Sequence, residues 1–342
     1  MIRYRHHEPI LLADKAWELN GLMTAVTVLN EPDKDALRMY YLVRFQAEPL
    51  KSVLCVADSD DGFEWQKPDL GDGTNIVMRS SGFHPAWGMF SPKSILHDRA
   101  EANPEQRWKM LYWDRPAENS PPGMCLAISP DGLRWRPVSD RPIITGANDA
   151  GSLLQTKPGS ISPLRKGPFL IYQQTWKYNP GLPQARDNLK RIHRRISLWT
   201  CANFFDDWIG PITVLEPDAA DAPDLQFYNL TVFRTQTGYG GLLACHHTGD
   251  QTMDVQWVRS ADGWLWHRAN DRQPILPLGE KGRFDCGMAY AVSPPVKFKE
   301  KVLLFYNGRA TVHDGNLHYP DQPRPNPEKG ISVAEMSDDL LI

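Results

Sequence analysis

Four acidic residues are placed along this chain so that their carboxylates could act together on one bond. They lie in polar segments, each of which precedes a strand-like run: Glu18, Asp149, Asp224 and Asp285. Cleavage of a glycosidic bond needs a protonated carboxylic acid at the leaving oxygen and an ionised carboxylate as base or nucleophile. A third carboxylate can raise the pKa of the acid by like-charge repulsion. These residue types indicate acid/base chemistry on a carbohydrate.

Within this set, we expect Asp149 to be the base or nucleophile and Asp224 to be the acid. Asp285 would tune the acid or orient the substrate, and Glu18 is the fourth candidate. Side chains suited to contact a sugar lie in the same segments or at the ends of nearby strands: His84, Trp87, Trp176, Tyr228, His247 and Arg309. Aromatic rings supply stacking faces, and arginine binds hydroxyl and carboxylate oxygens.

A repeated turn indicates how these segments are positioned. The pattern Ser-x-Asp-Gly-x-x-Trp occurs at 59–65, 129–135 and 260–266. Asp-Gly between two strand-like runs is typical of a tight hairpin, because both residues tolerate positive φ angles. The motif aspartates Asp61, Asp131 and Asp262 are therefore interpreted as turn residues that bind nearby amides rather than as catalytic groups.

A second element, an apolar run that usually opens with Pro-Ile, recurs at nearly constant spacing. Its isoleucines stand at positions 10, 76, 143, 212 and 275, so successive copies are 66, 67, 69 and 63 residues apart. Between them lie apolar and aromatic runs at 38–45, 108–113, 169–176, 241–247 and 302–306. Each unit then contains about four strands, which predicts an all-β fold, a five-bladed β-propeller with four antiparallel strands per blade.

The N-terminus is expected to complete this ring. The last unit lacks an outer strand, and the apolar run at 9–12 has no unit of its own. We therefore expect this N-terminal segment to pair with the strand at 331–334 and close the last blade, since closure removes exposed sheet edges. Because the period is unbroken, the sequence predicts a single domain over residues 1–342.

Composition narrows the classes of partner. A net charge of -3 gives no electrostatic reason to expect nucleic acid or an anionic membrane. The first twenty residues contain no apolar signal segment, and no run reaches transmembrane length, so a cytoplasmic location is expected. The five cysteines occupy separate units without zinc-site spacing, which predicts reduced core residues. We expect no organic cofactor, and no ligand cluster identifies a metal site, which leaves a cation in the channel open.

The chain resembles the five-bladed propeller glycoside hydrolases, the group that includes families 43, 32, 68, 62 and 117, and most closely bacterial proteins labelled family 32-like. The resemblance covers the whole chain through its five units. Its motifs are Arg-Phe-Asp-Cys-Gly-Met at 283–288, Phe-Tyr-Asn-Gly-Arg at 305–309 and Pro-Asp-Leu-Gln-Phe-Tyr-Asn-Leu at 223–230. It implies hydrolysis or transfer at a glycosidic bond, often of a furanoside, by acidic residues on the inner strands.

Two alternatives share this fold. A glycoside phosphorylase would hold inorganic phosphate with basic residues such as Arg309, Arg283 or His247. A non-catalytic carbohydrate-binding propeller would need no convergent carboxylates. The expected partner in each case is a small oligosaccharide or glycoside. The long loop at 314–327 is typical of a site lid or a subunit contact, which leaves a homo-oligomer open, and the basic run at 186–195 is expected to face solvent.

Overall fold

A computed structural model describes residues 2–45, 48–83, 90–156, 167–181, 186, 189–205 and 207–338. Strands dominate these ranges, and the helical segments in them are three single 3₁₀ turns at Pro49–Lys51, Pro104–Gln106 and Asn270–Arg272. The described ranges include no helix with the length and apolar character needed to cross a membrane. The fold is all-β, as the sequence predicts.

The chain forms two compact structural units, which are distinct from the five sequence repeats described above. The first unit contains Ala13–Ile171 and Trp199–Gly210, and the second contains Met1–Leu12, Tyr172–Leu198 and Pro211–Ile342. The N-terminal strand β1 (Ile2–Arg5) belongs to the second unit. We describe each unit separately.

The first unit holds two antiparallel sheets. Set one has the strand order β2 (Leu22–Asn30), β3 (Leu37–Arg44), β4 (Val53–Ser59) and β5 (Ile76–Arg79). Set two contains β6 (Ser91–His97), β7 (Trp108–Asp114), β8 (Gly123–Ser129), β9 (Arg136–Pro137) and β10 (Ile144–Thr145), with both short strands paired to β8. Their facing sides bury a core that includes Tyr40, Leu54, Met110 and Ala127.

Set three is a four-stranded sheet through which the chain passes from one unit to the other. Its order is β11 (Gly151–Gln155), β12 (Phe169–Tyr178), β13 (Ile192–Cys201) and β14 (Ile209–Leu215). The β12, β13 and β14 strands start and end in different units, because the unit boundaries fall within them.

The second unit contains the remaining strands in one sheet. Set four is β15 (Leu225–Arg234), β16 (Tyr239–His247), β17 (Met253–Ser260), β18 (His267–Arg268) and β19 (Pro274–Leu276), and set five is β20 (Met288–Tyr290), β21 (Val296–Phe298), β22 (Lys301–Arg309) and β23 (Lys329–Met336). One parallel pair, Met253 with Met288, joins the two sets, whereas the other strand pairs of this sheet are antiparallel.

The N-terminal segment pairs with the last strand. The strand β1 runs antiparallel to β23, with Arg5 opposite Ala334. Further along, Leu11 forms a bridge with Ile331, as predicted for the run at 9–12, and the amide of Ile10 donates to the carbonyl of Ile331. The regular part of this pairing lies upstream of the predicted run, at Ile2–Arg5.

The repeated turns have the predicted structure. In the copy at 129–135, the amides of Leu133 and Arg134 donate to Asp131 Oδ1 at 2.9 Å, and the amide of Gly132 donates to Ser129 Oγ at 3.0 Å. The turn glycines Gly62, Gly132 and Gly263 have φ angles of 85°, 75° and 74°, which favour glycine. Burial acts to raise the pKa of Asp131, but the amide and Arg134 donors outweigh it and lower that pKa to about 2. The motif carboxylates are local capping groups.

The five cysteines are free and buried, as predicted. Cys55 lies opposite Tyr41 in set one, and Cys125 lies opposite Tyr112 in set two, so the two thiols occupy equivalent positions. Burial raises the pKa of the Cys55 thiol to about 12, which keeps it protonated and unreactive.

Three sets carry a β-bulge near the start of their first strand. The register with the next strand shifts around Val26 in β2, Lys93 in β6 and Tyr228 in β15. A bulge breaks the regular alternation of side chains and is common beside active sites, because it can re-aim one residue. Lys93 and Tyr228 are both central to the clusters described next.

Candidate active site

In the second unit, the ends of β16 and β22 lie beside the starts of β17 and β20. His246 of β16 lies opposite Met253 of β17, Met253 opposite Met288 of β20, and Met288 opposite Arg309 of β22. The two methionines are buried and form an apolar floor, which we call the methionine floor. Arg309 Nη2 donates to the hydroxyl of Tyr290 at 3.2 Å.

Tyr228 and Tyr290 pack their half-buried rings against the methionine floor. The bulge in β15 aims Tyr228 towards His313, whose Nε2 lies 3.1 Å from the tyrosine hydroxyl oxygen. The His313 ring in turn lies 4.5 Å from that of His246. The guanidinium of Arg194 stands 5.7 Å from the Tyr228 ring centre, within the range of a cation–π contact. This cluster combines aromatic faces with polar groups, as a sugar-binding surface does.

Arg194 corrects the expectation that the basic run at 186–195 faces solvent. Its side chain is buried, and Nη1 donates to Gln226 Oε1 at 2.7 Å. Arg186 in the same run is exposed by 44% and pairs with Asp314 at 2.7 Å, which links two loops of the second unit. Successive side chains of β13 point to opposite faces of the sheet, so one arginine of the run points inward, although composition alone predicts that the run faces solvent.

His247 and Asp254 form a partly exposed dyad. His247 Nε2 lies 2.9 Å from Asp254 Oδ2, with 28% and 13% of the two side chains exposed. Burial acts to lower the pKa of His247, but Asp254, with smaller contributions from Asp224 and Asp250, outweighs it and raises that pKa. An imidazole oriented by a carboxylate can accept or donate a proton near neutral pH. His246, the neighbour on the strand, points to the opposite face.

Trp176 belongs to the same neighbourhood as Tyr228. The indole Nε1 donates to Gln174 Oε1 at 3.1 Å, and Gln174 Nε2 donates to the backbone carbonyl of Tyr228 at 2.8 Å. Gln174 is fully buried, whereas Trp176 is half-buried and keeps part of its ring accessible. The structure therefore brings together Trp176, Tyr228 and, through the methionine floor, Arg309.

Asp224 lies immediately before β15 and is half-buried. Its Oδ2 accepts a hydrogen bond from the amide of Gly249 at 3.1 Å, and its backbone carbonyl accepts one from the amide of Thr248 at 3.0 Å. The carboxylate thus caps the turn after β16, close enough to His247 to affect its pKa. Its role as the acid stays a prediction.

Asp285 is enclosed by the N-terminal segment. Its Oδ2 accepts hydrogen bonds from Arg5 Nη2 at 2.5 Å and from the Tyr306 hydroxyl at 3.0 Å, and 2% of the residue is exposed. Gly279 approaches so closely that a Cβ there would lie 1.8 Å from Asp285 Oδ1. These contacts fit a residue that fastens β1 to set five, and a direct role on substrate stays a prediction.

Glu18 in the first unit has a similar setting. The hydroxyl of Tyr41 donates to Oε1 at 2.5 Å, and Lys67 Nζ donates to Oε2 at 2.6 Å. The amides of Asp14 and Lys15 also donate to Oε2, and Glu18 has no exposed surface. Its carboxylate is occupied by donors of its own chain.

Asp149, also in the first unit, has a different environment. Lys93 Nζ donates to Asp149 Oδ2 at 3.0 Å and to Ser91 Oγ at 2.6 Å, and Arg44 Nη2 donates to the same serine oxygen at 2.6 Å. The side chain of Asp149 is still 21% exposed. Burial acts to raise the pKa of Asp149, but Lys93 and Arg44 outweigh it and hold that pKa below its ordinary value. Asp149 is therefore an accessible, ionised carboxylate.

Some functional candidates could not be found from the sequence, and some predicted ones lie outside the described residues. His84 and Trp87 fall in the undescribed range 84–89. Lys93 and His313 were missed because each depends on a contact between distant segments, and Asp254 was missed because it lies in an ordinary strand sequence seven residues after His247. In the ranges that the structure describes, no group of three or more His, Cys, Asp and Glu side chains is arranged to hold a metal ion.

The fold is similar to solved glycoside hydrolases. One structure titled glycoside hydrolase matches with a TM-score of 0.65 and 13% identity, covering 98% of this chain and 92% of that one. A thermostable family-43 glycoside hydrolase matches with a TM-score of 0.61 and 11% identity, covering 93% and 91%. An N-acetylgalactosamine deacetylase from F. plautii, in complex with blood group B trisaccharide, matches with a TM-score of 0.56 and 14% identity, covering 99% and 95%.

No protein-family model and no curated protein matches the sequence. At identities this low, the structural matches show a shared fold rather than a shared reaction. The predicted resemblance to the fold of glycoside hydrolases, family 43 among them, is confirmed over nearly the whole chain.

Proposed function

We propose that this protein is a glycoside hydrolase that cleaves a glycosidic bond by carboxylate catalysis. The observation that carries the proposal is the setting of Asp149, an ionised and accessible carboxylate held by Lys93, which also donates to Ser91 Oγ. A carboxylate with a lowered pKa can act as base or nucleophile at neutral pH. The similarity of the fold to solved glycoside hydrolases supports the reaction class.

The proton donor is assigned separately. Asp224 is favoured by its place before β15, and it lies near His247, whose raised pKa makes it a second candidate for proton transfer. The aromatic surface around Tyr228, with Trp176 beside it, would contact the sugar in the second unit. A carbohydrate complex of one protein with the same fold supports an oligosaccharide or glycoside as the substrate.

We also propose the finer architecture, a five-bladed propeller closed by the N-terminal segment. Sets one to five would each form one blade, with four strands in sets one, three and five and five strands in sets two and four, and the pairing of β1 with β23 would complete the last blade. An experimental structure would count the blades directly. The Arg5→Ala variant, which leaves Asp285 buried without its cation, should unfold at lower temperature if closure contributes to stability.

The function is tested with a panel of aryl furanosides and aryl pyranosides, each assayed with and without inorganic phosphate. We expect release of the aryl group without phosphate, and loss of that activity in Asp149→Asn. The matched control is Asp131→Asn, which changes the same residue type in a structural turn. Activity that requires phosphate would instead indicate a phosphorylase, and binding of glycosides without any cleavage would indicate a carbohydrate-binding protein.

A further inference from the structure

Two cations stand opposite each other on one sheet of the second unit. Arg309 at the end of β22 lies directly opposite Lys329 at the start of β23. Among the described residues, neither side chain forms an ion pair. Side chains at directly opposite positions of an antiparallel pair lie on one face of the sheet, about 5 Å apart at Cβ, where like charges are destabilising. Although much of the Lys329 side chain is exposed, partial burial lowers its pKa, and repulsion from Arg309 lowers it further.

The nearest acidic groups are already paired. Glu328 lies beside Lys329 in sequence, but its carboxylate accepts a hydrogen bond from Arg324 at 3.0 Å. Asp285, which packs near Gly308, is bound by Arg5. Glu328 raises the pKa of Lys329, but by less than partial burial and Arg309 lower it, so these neighbouring carboxylates only partly offset the positive charge.

The arginine is placed to bind a planar group. In the part of the chain that the structure describes, its guanidinium makes one hydrogen bond, from Nη2 to Tyr290, and lies 5.8 Å from the centre of that ring. Arg309 is half-buried, and Lys329 is exposed. A half-buried guanidinium binds carboxylate oxygens in a fork geometry, and a neighbouring ring can stack on a sugar.

We infer that Arg309, Lys329 and Tyr290 form a subsite for an oxyanion of the substrate, namely the carboxylate of an acidic sugar. The subsite borders the methionine floor, because Met288 lies opposite Arg309 and Tyr290 packs on that floor. This inference rests on the proposed function for the identity of the ligand as a sugar. To the proposed function, the subsite adds a positive charge that selects substrates with a carboxylate.

The experiment measures binding rather than turnover. D-glucuronate and D-galacturonate are titrated at low salt against their neutral counterparts, D-glucose and D-galactose, by ligand-observed NMR and calorimetry. Inorganic phosphate is titrated in a separate arm, since it is another source of the same oxyanion chemistry. We expect each uronate to bind at least tenfold more tightly than its neutral sugar.

The variants locate the effect. Arg309→Gln should remove the preference for uronates, and Lys329→Gln, a change at an exposed residue, should reduce it several-fold. Lys301→Gln is the matched control, because it lies on the same strand as Arg309 and already pairs with Glu335 at 3.0 Å. It should keep the full preference.

Three results would overturn the inference: equal binding of uronates and neutral sugars, a preference that survives in both Arg309→Gln and Lys329→Gln, or Arg309-dependent binding of phosphate without binding of uronates. Hydrolysis of neutral glycosides with no uronate preference would leave the proposed function intact while removing this subsite. Arg309-dependent uronate binding without any hydrolysis would support the subsite and contradict the proposed function.

Discussion

Glu18 and Asp149 are both carboxylates beside a lysine in the first unit, but their surroundings differ. Glu18 has no exposed surface and accepts hydrogen bonds from Tyr41, Lys67 and two backbone amides. Asp149 accepts one from Lys93 and keeps a fifth of its side chain exposed. A carboxylate whose lone pairs are used by its own chain has none left for a substrate. The comparison separates a carboxylate that stabilises the fold from one that is accessible to a substrate.

The largest expected effect is on catalysis in Asp149→Asn. The amide cannot act as base or nucleophile, so kcat on an aryl glycoside should fall by about 100-fold or more. The thermal midpoint should fall by less than in Glu18→Gln, because Asp149 is partly exposed and Asn can still accept a hydrogen bond from Lys93, so that the variant loses the ion pair alone. Steady-state kinetics and differential scanning calorimetry measure the two quantities. Near-normal kcat in this variant would remove Asp149 from the site.

Glu18→Gln should show the opposite pattern. It leaves Lys67, whose side chain is 5% exposed, paired with Asp14 but without Glu18, and it places an amide NH₂ near backbone donors. Breaking a buried ion pair costs about 3 kcal/mol, so urea unfolding should show a loss of roughly that size. The kcat of the folded protein should be unchanged. A large loss of kcat with normal stability would return Glu18 to the list of catalytic candidates.

The His247–Asp254 dyad should give a pH-dependent effect of intermediate size. Because Asp254 is the strongest influence raising the pKa of His247 against burial, Asp254→Asn should lower that pKa. NMR titration of the imidazole measures the shift directly. If His247 donates a proton during turnover, the high-pH limb of the pH–rate profile should move to lower pH in the variant.

The same pair should contribute to stability in one pH window. Since the folded-state pKa of His247 is raised, its contribution is fully present below the unfolded value of about 6.5 and is lost as pH rises through the folded value. The difference in unfolding free energy between the parent and Asp254→Asn should therefore be larger at about pH 6 than above the folded pKa. An equal difference across this range would show that the pair contributes only a neutral hydrogen bond.

The strands and turns could be predicted because their signals are local. Apolar runs and Asp-Gly turns are read within a few residues, and the three repeated turns have the predicted hydrogen bonds. The candidate site could be predicted only in part, because residue type does not show which donors approach a carboxylate. Glu18 is bound by Lys67, 49 positions away, and Asp285 by Arg5, 280 positions away.

The residues that the sequence analysis missed, Lys93, Asp254 and His313, also lack a local sequence signal. The position of Lys93 depends on a β-bulge, which follows from pairing between strands rather than from a local motif. Asp254 lies in an ordinary strand sequence, and His313 lies in a loop that reaches Tyr228 from 85 positions away. Of the two residues in the His247–Asp254 dyad, His247 alone could be suggested from the sequence, because it lies at the end of a predicted strand.

The smallest effect is expected in Asp131→Asn, which tests whether the structural acids are confined to their turns. Asn keeps an oxygen that can accept the amides of Leu133 and Arg134, and it loses only the exposed ion pair with Arg134, whose side chain is 81% exposed. Exposed ion pairs contribute about 0–1 kcal/mol, so the free energy of unfolding at pH 7 should fall by less than about 1 kcal/mol. The kcat should equal that of the parent, because the carboxylate caps a hairpin, where it accepts hydrogen bonds from Ser129 Oγ and Arg134 Nε. A tenfold loss of kcat here would mean that damage to a turn alone can imitate a catalytic defect, and the contrast between Glu18 and Asp149 would then have to be drawn from binding data instead.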